Sequence, residues 1–366
     1  MAEAKRFDSI ATIKREEWNR CFPGELENYD YLLAVERSHI PGFTLCVYAL
    51  MEGGTLLAGL PVFFTDYDLA TTAEGRVRDI LMRIKRLFPR LLTLKLACIG
   101  SFATETCPIA LHPDGTVEQK RQWFRKLTDF FISDAATHKT SLLAFKDMNA
   151  ANRKLFNECL HEFHSVSGMP TAVSPITFKT IDDYFTQLSS ATRKDMRRKL
   201  KKQSDIHIEY TRNIEPHIDD IYAMYLETRG RSDLQFEELT RDYFREVASH
   251  PSGLCSLYFH GSRLIGCNLM LAGYGRLLDK FFCMRTEEGQ AHNLYFISWF
   301  ANLQYCLDHG LKTYQSGQAG YETKLRLGSL MEENWMYFHH RNRLANWLLK
   351  LASPLLAFDV PTQDTK

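Results

Sequence analysis

Hydrophobic and polar positions change period several times along the chain. Residues Tyr31, Leu32, Val35 and Glu36 lie at helical spacing within Asp30–Ser38, after a shorter helical stretch around Lys14–Trp18. An apolar run from Phe43 to Leu50 then meets the turn Glu52-Gly53-Gly54, and a second run returns from Thr55 to Phe64. This pattern predicts a hairpin. It recurs about 210 residues later, where Leu254–Phe259 leads through His260-Gly261-Ser262 into Arg263–Leu271. Gly59 and Gly266 occupy matching places in the two return strands, which points to an internal duplication.

The second copy can be followed further. Arg276–Met284 reads as a strand, Glu287–Gln290 as a loop, and Asn293–Leu307 as a long helix closed by Gly310. Leu311–Ser316 and Asn334–His340 read as two more strands. The boundary between the halves is expected near Ser165–Pro175, giving domains 1–168 and 169–366.

Composition adds exclusions. With 366 residues, two domains are expected. The 45 basic and 44 acidic residues leave a net charge of +1, so any binding of nucleic acid or anionic lipid must come from local clusters. Nine cysteines, without a CxxC pair and several within apolar runs, fit a reducing compartment and give no zinc or disulfide pattern. The polar start and the lack of a 20-residue apolar run predict neither a signal peptide nor a spanning helix, hence a cytoplasmic protein.

One local cluster stands out. Arg193–Lys202 holds seven basic residues and one acid, and Arg193, Arg197 and Lys201 share a helical face. Either it clamps phosphates or it is a solvated face packed on the domain. Two stretches, 77–96 and 341–358, combine basic residues with Leu, Ile, Phe and Trp, as helices lying in a lipid interface do, and as helices packed on their own domain also do.

The order strand, strand, strand, helix, strand resembles the Gcn5-related N-acetyltransferase (GNAT) fold. Three stretches carry a resemblance to tandem-GNAT proteins of the Fem-type, BioF2-like and peptidoglycan biosynthesis/recognition group: Trp18–Glu36, Tyr184–Lys201, and Asn293–Gly328 with Tyr321-Glu322-Thr323-Lys324-Leu325-Arg326-Leu327-Gly328. The resemblance implies an α/β protein of two GNAT-like domains in tandem, each a central mixed, mostly antiparallel sheet flanked by helices. The N-terminal domain would be structural or acceptor-binding and the C-terminal one catalytic.

The resemblance also implies N-acyl transfer from an acyl thioester, acyl-CoA or acyl carrier protein, to a primary amine on a small molecule or lipid. No permanent cofactor and no metal are expected. Contact with the inner face of a membrane would suit a lipid acceptor. The alternatives are an aminoacyl-tRNA-dependent transferase and a recognition module without catalysis. In such a fold the motif-bearing turn supplies Gln318, Tyr321, Glu322 and Lys324 near the reacting centre. Tyr321 or Lys324 would bond the donor oxygen, and Arg326 would hold an acid or phosphate. Donor phosphates would sit on Gly289, Gln290, His292 and Asn293 before the long helix, aided by Arg193, Arg197 and Lys201. The usual Arg/Gln-x-x-Gly-x-Gly/Ala spacing is absent there, so Asn293 is equally readable as a helix cap. Glu322, Asp279 and His292 are the candidate bases, and Glu105 is a carboxylate of the first half placed at a strand end.

Overall fold

The computed structural model describes residues 2–68, 93–231 and 236–358, together with Arg83 and Arg86. Most of the basic amphipathic stretch expected at 77–96 therefore lies outside the described residues. In chain order the strands are β1 Glu3–Phe7, β2 Phe43–Glu52, β3 Thr55–Asp68, β4 Thr93–Ile99, β5 Ala110–Leu111, β6 Leu142–Asn149, β7 His164–Ser167, β8 Thr171–Pro175, β9 Ile206–Thr211, β10 Gly253–His260, β11 Arg263–Gly273, β12 Arg276–Met284, β13 Thr313–Gly317, β14 Leu330–Glu332 and β15 Asn334–His340. The α-helices are α1 Arg15–Arg20, α2 Tyr29–Arg37, α3 Val117–Thr137, α4 Ala150–Phe156, α5 Ile181–Gln187, α6 Ser190–Lys199, α7 Ile218–Gly230, α8 Arg241–Ala248, α9 Thr286–Ala291, α10 Leu294–Asp308, α11 Tyr321–Arg326 and α12 Arg343–Leu356.

These elements form two units. The first comprises Met1–Met169, Leu234–Glu238 and Glu333–Val360. The second comprises Pro170–Asp233, Leu239–Glu332 and Pro361–Lys366. The first break falls between Met169 and Pro170, but a second domain running unbroken to residue 366 is not what forms. Strand β15 leaves the second unit and inserts between β6 and β7 of the first sheet, and α12 follows it.

The sheet of the first unit runs β1-β2-β3-β4-β6-β15-β7, with β5 beside β3. That of the second runs β9-β10-β11-β12-β13-β8, with β14 beyond β8. Position by position the senses agree. Three antiparallel pairings are followed by one parallel pairing, β4 with β6 and β12 with β13, and then by two antiparallel ones. The repeat read from the two hairpins thus extends to whole sheets. A parallel pair needs a crossover, and α3 and α10 lie in the two crossovers.

Alternation along β2 decides the layers of the first unit. Cys46, Tyr48 and Leu50 pack with Phe124, Leu127 and Phe131 of α3, whereas Val47 and Ala49 pack with Trp18 and Leu32 of α1 and α2. A capping box between Thr116 and Gln119 starts α3. In the second unit α10 is buried along most of its length. Trp299, Phe300 and Leu303 meet Tyr184 and Phe185 of α5 and Met196 of α6. Tyr225 of α7 and Phe244 of α8 close on Phe281, with ring centroids 4.9 and 6.2 Å away. The matched glycines have a steric reason. A Cβ on Gly59 would stand 2.5 Å from the Trp18 ring, and one on Gly266 would stand 2.5 Å from Leu294 Cδ2. All nine cysteines are buried thiols. Among the described residues, no helix is long and apolar enough to cross a membrane.

Candidate active site

In the second unit the parallel strands β12 and β13 pair over three rungs only, Arg276↔Thr313, Leu277↔Tyr314 and Leu278↔Gln315. The ladder between β11 and β12 steps from Met270↔Asp279 to Leu269↔Phe281, so Lys280 is an extra residue on β12. Such a bulge bends a strand away from its neighbour. The next residues, Asp279 on β12 and Ser316 on β13, therefore flank an opening in the sheet. Gly317 (φ 90°) and Gly320 (φ 65°) turn the chain into α11 at the same place.

Asp279 sits at this opening with its side chain partly exposed. Its Oδ2 accepts hydrogen bonds from Tyr314 Oη (2.9 Å) and Asn268 Nδ2 (3.1 Å), and Asn302 Nδ2 donates to Tyr314 Oη (2.9 Å). Burial pushes the carboxyl up to about 6, against the pull of the Lys324 charge and of the Asn268 and Tyr314 hydrogen bonds. Lys324 is 5% exposed. Its ammonium donates to the carbonyls of Ser316 and of Gly317, the latter at 3.2 Å. Asn268 and Asn302 are fully buried, and among the described residues their Oδ1 atoms have no hydrogen-bond partner. The opening thus brings together a carboxyl that burial shifts to about 6 and a buried ammonium, with Asn268 and Asn302 packed behind them.

The expected motif turn reaches this place. Lys324 is at the opening. Tyr321 is buried, and its hydroxyl donates to Pro170 O at 2.9 Å, which fixes the start of α11 against the segment entering β8. The hydroxyl proton is thus engaged by a main-chain carbonyl. Tyr321→Phe is expected to keep kcat within about threefold while lowering stability by ~1 kcal/mol, the net worth of one hydrogen bond. Thermal unfolding together with steady-state rates checks this. Gln318 is half-buried in the turn and Glu322 is exposed, and among the described candidate bases Asp279 is the carboxylate that flanks the opening.

The expected phosphate loop is not a loop. Residues 286–291 form α9, favoured by Glu287 and Glu288 in its positive first turn. The N–H groups of Gly289, His292 and Asn293 are bonded to the carbonyls of Arg285, Glu288 and Gln290, and Gln290 is exposed. Asn293 is left-handed (φ 57°) and makes no side-chain cap to α10. It stands at the N-cap position of α10, where its carbonyl accepts from the N–H groups of Phe296 and Ile297, one residue beyond His292, the C-cap of α9. Gly289 is explained by packing, because a Cβ there would stand 2.5 Å from Met284 Sδ.

The basic cluster does assemble. Arg193, Lys194, Arg197, Arg198 and Lys201 line an open groove of about 730 Å³ along α6 and the turn after it. Arg197 stacks 5.2 Å over Phe185 and faces Asp182 at 3.8 Å. Asp195 stands amid these cations. Hydrogen bonds from Arg198 and Lys199 hold its carboxyl down at about 2. Arg326 Nη2 reaches Asp195 Oδ2 at 3.3 Å, so α11, which carries Lys324, is tied to the basic helix. Sequence reading missed Asn268, Asn302 and Tyr314. Their signal was a polar side chain inside an apolar run, Cys267-Asn268-Leu269 and Ala301-Asn302-Leu303.

In the first unit the matching opening is closed. The β4–β6 ladder ends at Ile99↔Phe145 and is followed by Gly100, which has no side chain. The adjacent Lys146 and Asp147 pair with each other, Lys146 Nζ donates to Thr104 O (2.8 Å), and Cys107 N donates to Asp147 O (2.8 Å). Glu105 contributes its carbonyl, which accepts from Asn334 Nδ2 at 3.2 Å.

Solved structures share this architecture. The C-terminal domain of a protein assigned as a lysylphosphatidylglycerol synthetase from Agrobacterium fabrum superposes with a TM-score of 0.56 at 10% identity, over 94% of this chain and 96% of that one. FemX gives 0.55 at 11% identity, over 87% and 93%. A tandem GNAT protein from the clavulanic acid biosynthesis pathway gives 0.54 at 13%, over 93% and 98%. At such identities the likeness is one of fold, and that fold is the tandem GNAT arrangement of two mixed sheets flanked by helices. None of the curated proteins compared with the chain matches it. The FemAB-like family model, described as peptidoglycan biosynthesis/recognition, matches residues 110–350, and the chain belongs to that family.

Proposed function

We propose that the second unit transfers an acyl group from an activated, phosphate-bearing donor to a primary amine. The observation that carries this reading is Asp279, a carboxyl held near pH 6 beside the buried Lys324 ammonium at the opening between β12 and β13. The neutral amine attacks the donor carbonyl, and the new C–N bond makes the nitrogen acidic. Asp279 takes its proton while the field of Lys324 offsets the negative charge on the carbonyl oxygen. Collapse breaks the bond to the leaving sulfur or oxygen, which takes that proton from Asp279 and so restores the carboxylate. The basic groove of α6 binds the phosphates of the donor handle.

Two donors fit. An acyl thioester, on CoA or an acyl carrier protein, presents phosphates on a long handle. An aminoacyl-tRNA presents many more, and two observations favour it as a second reading: the inward-turned amides at 289–293 and the five cations in one groove. The family description, peptidoglycan biosynthesis/recognition, and the naming of one related fold as a lysylphosphatidylglycerol synthetase support a cell-wall precursor or a lipid as the acceptor.

Thermal unfolding with CoA and with acyl-CoAs of increasing chain length separates the donors. A ligand at 100 times its Kd adds about 2.7 kcal/mol. A shift that grows with chain length supports the thioester. No shift with any CoA, with aminoacyl-tRNA binding whose logarithm falls steeply with log salt, supports the ester. In either case Arg193→Glu with Arg197→Glu is expected to raise the Kd for donor at least tenfold and to flatten the salt slope. Binding of donors without turnover on any amine would leave a recognition module and remove the catalytic reading.

A further inference from the structure

Helix α12 carries its apolar surface on the side away from the sheet. Asn342 caps it by accepting from the N–H groups of Leu344 and Ala345. The face held by the protein carries mostly small or polar side chains, with one leucine. Ala345, Asn346, Leu349 and Ala352 are half-buried, and Asn346 bonds His340 N (2.9 Å) and the His164 ring (3.2 Å). The opposite face exposes Leu344 (65%), Trp347 (55%), Leu348 (52%) and Leu351 (59%). Their spacing of three, four and seven makes one stripe. A helix that only packed on its own sheet would be turned the other way.

We propose that this stripe seats on an anionic lipid surface, with α12 lying in the plane of the interface. Charge selects this occupant. Arg343 and Lys350 are exposed beside the stripe, Arg341 precedes the helix with its guanidinium on Ile132 O, and no Asp or Glu occurs from 341 to 357. A bilayer of mixed charge offers hydrocarbon to Leu344, Leu348 and Leu351, phosphates to the cations, and the headgroup boundary to the Trp347 indole. A second copy docked on the same face would instead bring Arg343 and Lys350 of both copies together, with no acid on the stripe to compensate. The inference stands apart from the acyl-transfer reading, because none of these residues lies at the opening between β12 and β13.

The test uses the full chain with vesicles of phosphatidylcholine alone and of phosphatidylcholine with a minor fraction of phosphatidylglycerol. Expected is co-sedimentation with the anionic vesicles and weak binding to the neutral ones. Brominated lipid should quench fluorescence, and Trp347→Phe should abolish that quenching. Leu348→Glu should lower partitioning at least tenfold, and Lys350→Gln about fivefold, the worth of one cation at an anionic surface. All three side chains are exposed, so circular dichroism and Tm should stay as in the parent. Absence of sedimentation with anionic vesicles would overturn the proposal. So would equal binding by Leu348→Glu, or a concentration-dependent dimer in light scattering that Leu348→Glu abolishes.

Discussion

Asp279→Asn is expected to lower kcat by about 10²–10⁴-fold, the usual worth of a positioned base, and to remove the acid limb of the pH profile. In the parent, kcat/KM should rise as pH increases through about 6, because only the carboxylate accepts the amine proton. Stability should move the other way. The folded carboxyl titrates above its unfolded value, so the folded state binds the proton more tightly, and stability is lost as pH rises from about 4 through about 6 and the half-buried carboxylate forms. An amide can keep both the Tyr314 and Asn268 contacts without that charge. The variant should therefore be as stable as the parent at pH 8 or more so, by at most about 3 kcal/mol. Loss of activity together with loss of folding would mark Asp279 as structural, and an unchanged limb near pH 6 would assign the proton to another group.

Lys324→Met should have the second-largest effect. Its ammonium lowers the Asp279 carboxyl, so its removal should move the acid limb above 6 rather than below. It should also cost about 10²-fold in kcat, comparable to losing one donor to a developing oxyanion. Two carbonyls, those of Ser316 and Gly317, lose a charged donor, and stability should fall by about 2–3 kcal/mol. A rate profile measured over pH 5–9 separates these effects from unfolding. A downward shift of the limb, or none, would place Lys324 outside the electrostatics of the site.

Much of the fold was legible because it is local. The two hairpins, α2, α10, β12 and β15 each show a period that the backbone imposes on side chains, and matched turns made the duplication visible. What β15 pairs with was not legible. Both sheets have the same order, and an apolar strand at 334–340 suits the sixth place of either. The loop expected at 287–290 became α9 because Glu287 and Glu288 favour a first turn, while Asn293, just past its C-cap, starts the next helix.

The site was legible in part for a related reason. Lys324 and Arg326 fall in a contiguous motif, and the cations of α6 are dense enough to be seen in a line of text. Asp279 gains its character only through Asn268 on β11, Tyr314 on β13, and Asn302 on α10, which also reaches Tyr314. Those partners are dispersed over the second half, and only folding brings them to one carboxylate.

The placement of β15 has a consequence for synthesis. A nascent chain emerges at about 5–20 residues per second and folds domain by domain as it does so. The first sheet cannot finish on that schedule. Strand β6 ends at Asn149, and its neighbour begins at Asn334, about 185 residues later. For roughly 10–40 s the edge of β6, with buried positions Leu143 and Phe145, stands without the strand that will cover it. An open apolar edge is where chains pair with the wrong partner. A cell making this protein must keep an almost complete sheet from aggregating until its last strand leaves the ribosome.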